Sequence, residues 1–338
     1  MKTLTTLLSL MIYFSYGCLT PDAKSEKKQY HDTLRRDTLP GFSNPQDTLK
    51  ADTALFKKRL KAIFHNKPAG EWMPDTSYPL AGSILPFKRI VAFYGNFYSK
   101  GMGILGELPP DEMLAKLEEE VKKWEQADTL TPVQPALHYI AVTAQGKGGK
   151  DKKYRQRMPF QQIDKAIELA KSIDAIVFLD IQVGHSTLQQ EIPLLEKYLR
   201  MPNVHLGIDP EFSMHGEQIP SGAIGTFDAA DINYATDYLA GLVKQYNLPP
   251  KILIVHRFTN GMVTNYKKII KLPQVQIVMH MDGFGIAAKK INSYKLAIVN
   301  QPVQYTGIKL FYKQDKPKLM EPAEILKLYP QPVYIQYQ

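Results

Sequence analysis

Two carboxylic residues separated by one proline are the leading candidates for acid–base chemistry. Asp209-Pro210-Glu211 follows directly on an apolar run that ends at Ile208. Residues i and i+2 of a strand point to the same face, so a strand over 204–212 would bring both carboxyl groups together. Two carboxyls held close cannot both ionise freely, and the one whose pKa rises can serve as a general acid near neutral pH.

Other apolar runs also end in ionisable or polar side chains. The predicted catalytic residues are Glu211, Asp209, Asp180 and Asp282. The residues predicted to contact substrate are Tyr94, Asn96, Gln182, His256, His280, Lys309, Tyr312 and Tyr334. Aromatic rings mixed with carboxylates and amides suit the apolar faces and polar edges of sugars. His138 and His205 are expected to be structural.

The same residue types allow a different chemistry. The residues that could ligate a divalent metal are Asp180, Asp209, Glu211, His256, His280 and Asp282. Their oxygen and nitrogen atoms are acceptable ligands, so a metal-dependent hydrolase of phosphoesters or amides is the alternative. The principal hypothesis needs no metal and no other cofactor. A third hypothesis is a surface protein that binds carbohydrate without cleaving it.

These residues need a scaffold that gathers strand ends, and the chain alternates strand patterns with helix patterns. The strand-like runs occupy 89–97, 133–144, 175–183, 204–212, 252–258, 275–281, 306–312 and 333–336. The helical patterns occupy 51–64, 110–126, 160–172, 187–199 and 229–246. Runs that are apolar on both faces are typical of parallel strands covered by helices. Eight such units over about 250 residues predict an α/β fold, a (β/α)8 TIM-type barrel with its site at the carboxyl ends of the strands.

Local signals agree with this alternation. Pro110 suits the first turn of a helix, and Asp228 suits an N-cap. An open doubly wound sheet is the alternative architecture, and it would usually show a glycine-rich phosphate loop after its first strand. The first strand here leads into Tyr94-Gly95-Asn96-Phe97, which lacks that pattern.

The N-terminus resembles the signal of a bacterial lipoprotein. Lys2 precedes an apolar stretch over 4–16, which is shorter than the about 20 residues of a membrane span. Ser15 and Gly17, the third and first residues before Cys18, are small and resemble a lipobox. That resemblance implies cleavage before Cys18 and lipid on its sulfur. An ordinary signal peptide with an incidental cysteine is the alternative. The expected segments are a signal peptide over 1–17, a disordered tether over 18–48 and the barrel over 49–338.

Charge and cysteine content bound the class of protein and its partners. With one cysteine the chain forms no internal disulfide, so burial must stabilise it, and 338 residues can bury a large core. The net charge of +9 includes a basic loop over 147–157 with few aromatic residues, so we expect no nucleic-acid partner. We expect an exported monomer, lipid-anchored through Cys18 in the periplasm or at the cell surface, acting on a glycan or another envelope polymer.

The end of the fourth strand-like run resembles two groups of barrel glycoside hydrolases. Asp209-Pro210-Glu211, with Asp180 closing the third run, is similar to the chitinase-type and lysozyme-type barrels, which place a catalytic glutamate and helper aspartates there. The chitinase series of spaced aspartates and the lysozyme-type aspartate near the first strand are absent. Gly-Ile-Asp-Pro-Glu-Phe and His-x-Asp-Gly-Phe-Gly also resemble exported bacterial (β/α)8-barrel lipoproteins, a resemblance that brings no activity.

The resemblance to the chitinase-type and lysozyme-type barrels implies hydrolysis of a glycan. Glu211 would protonate the leaving oxygen, and Asp209 would be its partner. The base or nucleophile would be Asp180, Asp209 or Asp282, and the separation of the two carboxyl groups would decide whether configuration is retained or inverted.

Overall fold

Eight parallel strands close into a barrel in the computed structural model, which describes residues 53–72 and 79–338. The strands are β1 (Arg89–Gly95), β2 (Val133–Ala144), β3 (Arg155–Arg157), β4 (Ile176–Ile181), β5 (Val204–Ile208), β6 (Phe227–Asp228), β7 (Lys251–Arg257), β8 (Val263–Thr264), β9 (Val275–Met281), β10 (Tyr305–Leu310) and β11 (Tyr334–Tyr337). Because β1 pairs with both β2 and β11, the order β1-β2-β4-β5-β7-β9-β10-β11 is closed. The predicted (β/α)8 barrel is confirmed.

Helices alternate with the barrel strands. They are α1 (Thr53–Ile63), α2 (Ile104–Glu107), α3 (Pro110–Ala127), α4 (Phe160–Lys171), α5 (Leu188–Glu191), α6 (Glu196–Leu199), α7 (Ala229–Tyr246), α8 (Ala287–Ser293) and α9 (Pro322–Ile325). A π-helix over Tyr294–Val299 continues α8. Within 53–72 and 79–338, no helix is both long and apolar enough to cross a membrane.

The ends and interruptions of the helices follow from local chemistry. Asp228 and Asp231 form a capping box at the start of α7, as the N-cap prediction for Asp228 requires. The helix predicted over 187–199 is instead two short helices, α5 and α6, joined by a 3-10 turn that contains Pro193. Proline has no amide proton for the helical ladder and its ring crowds the preceding turn, which explains the interruption.

The side chains that point into the barrel lie in layers set by strand register. His256 is the partner of His280 across β7 and β9, and His280 is the partner of Gly307 across β9 and β10. Lys309 and Gln336 are partners across β10 and β11. Since every residue of β7, β9 and β10 is buried, polar side chains near the strand ends are forced to find partners inside the barrel.

The strand predicted over 204–212 ends at Ile208. Asp209 is the N-cap of a 3-10 turn over Pro210–Phe212, and its Oδ1 accepts a hydrogen bond from the Glu211 amide at 3.1 Å. Pro210 cannot donate to a sheet ladder and suits the first position of a helical turn. The prediction that Asp209 and Glu211 share one face of a strand is therefore wrong.

Helix α1 packs at the amino ends of the last strands. The Gln331 amide donates to the carbonyl of Ile63 at 2.8 Å, and Phe64 packs edge-on against Tyr329 at a centroid distance of 6.0 Å. The predicted signal peptide over 1–17, the lipid site at Cys18 and the tether over 18–48 lie outside the described residues.

Candidate active site

A chain of alternating charges lies at the carboxyl end of the barrel. Oδ1 of Asp180, on β4, lies 3.5 Å from Nε2 of His256, on β7. The other ring nitrogen, Nδ1, lies 2.6 Å from Oδ2 of Asp282, which follows β9. Nζ of Lys309, on β10, lies 3.1 Å from Oδ1 of Asp282. Buried charges are tolerated when each has an opposite partner, and here two carboxylates alternate with two cations.

These neighbours shift the pKa values of the chain. Burial lowers the pKa of His256, but the charges of Asp180 and Asp282 outweigh burial and raise it to about 10. Burial raises the pKa of Asp282, yet Lys309 and His256 hold it well below its ordinary value. Asp180 behaves in the same way, because His256 and His138 together more than offset the effect of its burial and hold its pKa well below the ordinary value. Asp180 and Asp282 are therefore ionised at neutral pH.

Asp209 and Glu211 behave in the opposite way. Burial raises the pKa of Asp209 to about 7, with His256 opposing the rise and Asp180 adding to it. Burial raises the pKa of Glu211 to about 8, and the charges of Asp209 and Asp282 contribute. Carboxyls whose environments drive their pKa values apart are suited to separate acid and base roles.

Tyr94 and Gln182 hold Asp180 through a series of hydrogen bonds. The Tyr94 hydroxyl donates to Asp180 Oδ2 at 3.0 Å and accepts from Gln182 Nε2 at 3.3 Å. Gln182 Oε1 in turn accepts from the amide of Ala144 at 3.0 Å. The ammonium of Lys309 lies 3.7 Å from the centre of the Tyr94 ring, within the range of a cation–π contact. Tyr94 and Gln182 therefore position the carboxylate.

His138, which the sequence suggested to be structural, belongs to the same cluster. Its Nε2 lies 3.2 Å from Asp180 Oδ1, and its Nδ1 lies 2.6 Å from the hydroxyl of Tyr334. Nε2 of Gln336 is 3.0 Å from that same Nδ1. Burial lowers the pKa of His138 to about 4, so the ring is neutral at neutral pH.

Gly207 is a second residue that the sequence analysis missed. A Cβ at this position would lie 2.4 Å from both Asp180 Oδ1 and His138 Nε2, so only glycine fits beside the two groups. A glycine within a fully buried strand marks a close approach of other atoms, and that signal is present in the run Val204–Ile208.

Three of the predicted substrate-binding residues are not members of the chain of charges. Asn96 donates to the carbonyl of Ile140 at 3.0 Å and accepts from the amide of Tyr98 at 2.8 Å. Tyr312 stacks on Tyr337 and donates to Glu120, outside the chain of charges. His280 is fully buried, and its ring lies edge-on to those of its neighbours, at centroid distances of 5.1 Å and 4.9 Å.

The mouth above the charged chain has an aromatic rim. Phe212, Phe258 and Phe284 each follow a barrel strand within a few residues of an ionisable side chain, and all three are at least partly exposed. Phe284 is the most open, with 46% of its surface accessible. Glu211 and Asp282 are the catalytic candidates that retain exposed surface, whereas Asp180 and Asp209 are at most 2% exposed.

Groups of possible metal ligands also occur in this cluster. One atom each of His138, Asp180 and His256 lie within 4.8 Å of one another, and so do atoms of Asp209, His256 and Asp282. Of the six ligands predicted from the sequence, Glu211 and His280 belong to neither group. The structure thus brings four of the six together and adds His138.

Fold and cluster together define a (β/α)8 barrel with a carboxylate–histidine centre at the mouth where such barrels carry their active sites. No protein-family model matches the chain, and no curated protein matches it. The solved structure of "Cellulase Cel5C_n" is similar at 12% identity and a TM-score of 0.37, covering 65% of this chain and 64% of that one. A ruminal GH26 endo-beta-1,4-mannanase is similar at 10% identity and a TM-score of 0.31, covering 74% and 59%. The chain spans less than two thirds of either structure, and neither likeness bears on activity.

Proposed function

We propose that the barrel hydrolyses a glycosidic bond, with Glu211 as general acid and Asp282 as base or nucleophile. The observation that carries this proposal is the placement of Glu211 and Asp282. Both carboxyl residues keep exposed surface at the carboxyl mouth, and they lie near enough for the charge of Asp282 to act on Glu211. Two carboxyls that flank the scissile bond are what most glycoside hydrolases use.

The surroundings of the two residues suit different roles. Asp282 faces the ammonium of Lys309 and the ring of His256, which favour its ionised form. Glu211 stands on the 3-10 turn, and its amide donates to Asp209, which fixes the turn. A neutral Glu211 can give a proton to the leaving oxygen while an ionised Asp282 attacks the anomeric carbon or activates water.

Asp180 and Asp209 act in this proposal as positioning residues. Asp180 is fully buried and contacts His256, so it orients that ring rather than touching a substrate. Asp209 is 2% exposed, and its carboxyl caps the turn that carries Glu211. Each therefore reaches the reaction through the residue it holds.

The aromatic rim supports a sugar as the substrate class. Phe212, Phe258 and Phe284 follow barrel strands at the same mouth and keep exposed surface, and exposed rings near carboxyls suit the C–H faces and hydroxyl edges of a pyranose ring. If the chain is exported and anchored through Cys18, its substrates are polymers of the cell envelope or of the surroundings.

Release of reducing ends from a panel of envelope and environmental polysaccharides tests this function. We expect wild-type turnover, and a loss of about 10²–10⁴-fold in Glu211→Gln because the general acid is removed. Glu217→Gln is the matched control, since Glu217 is exposed on the same connection between strands. Full activity in Glu211→Gln would contradict the proposal, and glycan binding by a wild type that turns over none would indicate a binding protein.

A further inference from the structure

We propose that Nε2 of His138, Oδ1 of Asp180 and Nε2 of His256 form a binding site for one divalent transition-metal ion, with zinc as the best fit. This site lies beneath the mouth that holds Glu211, and His138 is its unexpected member. The proposal does not depend on the glycosidase activity, because it concerns metal content and affinity.

The distances from Asp180 Oδ1 to the two histidine nitrogens match two ligands on a tetrahedral ion. Asp180 Oδ1 lies 3.2 Å from His138 Nε2 and 3.5 Å from His256 Nε2. All three atoms lie within 4.8 Å of one another. Zinc binds histidine nitrogen and carboxylate oxygen at about 2.0–2.1 Å, so two ligands on one tetrahedral ion are about 3.3–3.4 Å apart. The two separations from Asp180, 3.2 Å and 3.5 Å, bracket that value.

The same three atoms are buried and lack hydrogen-bond partners. His138, Asp180 and His256 are each 0% exposed. None of the three donor atoms makes a hydrogen bond of acceptable geometry to any residue within the described ranges. Buried polar atoms in native proteins nearly always have hydrogen-bond partners, so three neighbouring donor atoms whose mutual contacts lack hydrogen-bond geometry are consistent with a bound ion.

Each proposed ligand is held through its other polar atom. His138 Nδ1 lies 2.6 Å from the Tyr334 hydroxyl, which would accept its proton when Nε2 binds an ion while the Gln336 amide donates to that hydroxyl. Asp180 Oδ2 accepts from the Tyr94 hydroxyl at 3.0 Å. Asp282 holds the third ligand, His256, because its Oδ2 lies 2.6 Å from Nδ1 of that ring. Metal-binding histidines almost always engage their second nitrogen in this way, and a carboxylate–histidine–metal relay is the common form.

Gly207 keeps space open at the donor atoms. A Cβ at this position would lie 2.4 Å from both Asp180 Oδ1 and His138 Nε2. It would therefore crowd two of the three atoms that are proposed to bind the ion. The strand could carry any apolar residue if the inward position were needed only for packing. A glycine there is consistent with a site that needs room.

The second possible ligand group, Asp209, His256 and Asp282, is a poorer fit. Its members Asp282 and His256 are 2.6 Å apart, which is a hydrogen-bond distance and shorter than the separation of two ligands on one ion. Asp282 is therefore better assigned as the outer partner of His256. Asp180 supplies a negative charge among the ligands themselves, whereas Asp282 shares its charge with the ammonium of Lys309.

Metal titration of the chelator-treated full chain tests the site. Zn²⁺ and Co²⁺ are added separately, bound metal is measured by elemental analysis after desalting, and visible absorption reports Co²⁺ coordination. We expect one ion per chain in the wild type. Asp180→Asn and His138→Gln should weaken binding by more than about 100-fold, and Asp282→Asn by about 10–100-fold, because it removes the outer carboxylate.

His205→Gln is the matched control, because His205 is a buried barrel histidine whose Nδ1 instead accepts from the amide of Ile252. It should bind metal as the wild type does. Circular dichroism establishes that each variant is folded, and Asp282→Asn decides the question if a ligand variant does not fold. A wild type that binds neither ion, or equal binding by wild type and His138→Gln, would overturn the site and leave His256 as an imidazolium between two carboxylates.

Discussion

Oδ2 of Asp282 lies 2.6 Å from Nδ1 of His256, so the carboxylate fixes the ring and turns its Nε2 toward Asp180. Asp282 also keeps a small exposed surface, with 8% of its side chain accessible. It therefore connects the accessible mouth of the barrel to the buried cluster beneath. The proposed hydrolysis would use the outer side of this residue, and the proposed metal site would use its hold on His256.

Gly207→Ala should destabilise the barrel by about 1–3 kcal/mol. Its new Cβ would lie 2.4 Å from Asp180 Oδ1 and His138 Nε2, and a well-packed interior accommodates an added methyl only by shifting its neighbours. Urea unfolding measures the change. Gly241→Ala is the control, because a Cβ there meets nothing within 4 Å in helix α7, and alanine should add about 0.5–1 kcal/mol. Equal stability of Gly207→Ala and wild type would show that the space is not constrained.

Asp315→Ala should cost about 3–5 kcal/mol, because it leaves the buried ammonium of Lys290 without its partner at 3.0 Å. Asp315 also accepts from the amides of Gly285 and Phe311, so it ties together the segments that follow β9 and β10. Thermal and urea unfolding measure the loss. Lys313→Ala breaks an exposed ion pair and should change the free energy of unfolding by less than about 1 kcal/mol. A similar small change in Asp315→Ala would contradict a structural role for the pair.

The fold was predictable because its signals are repeated. Runs such as Ile252–Val255 are apolar on both faces, which is typical of a covered parallel sheet, and eight strand-like runs recur at barrel spacing. Local interruptions were harder, because Pro193 and Pro210 act through backbone geometry. A hydrophobic pattern does not show that a proline has ended a helix or turned a strand into a 3-10 turn.

The site was predictable as a set of strand ends but not as a set of contacts. Asp180, His256 and Asp282 are distant in the chain, and their meeting depends on strand register, which no local pattern determines. His138 looked structural because a lone histidine in an apolar strand carries no sign of its partners. Only the pairing of β2 with β4 places it beside Asp180.

The stability difference between wild type and Glu211→Gln should depend on pH. In the folded chain burial raises the pKa of Glu211 from 4.5 to about 8; the charges of Asp209 and Asp282 add to the rise, and those of Lys309 and His256 oppose it. The folded state therefore keeps a proton that the unfolded state releases, and stability from this group is lost as pH rises from about 5 to about 8.

Glutamine does not titrate, so Glu211→Gln should gain stability relative to wild type across that range. Urea unfolding at pH 5, 6, 7 and 8 measures the difference, and exposed Glu217→Gln should show none. A constant difference between wild type and Glu211→Gln would mean that Glu211 ionises normally in the folded chain.

The role of Glu211 as general acid is tested most directly by the leaving group of the substrate. The measurement is kcat/KM of wild type and Glu211→Gln on an unactivated glycoside and on the 2,4-dinitrophenyl glycoside of the same sugar. Dinitrophenolate departs without a proton, so we predict a loss of about 10²–10⁴-fold on the first substrate and less than about tenfold on the second. Equal losses on both substrates, or no loss on either, would contradict the assignment.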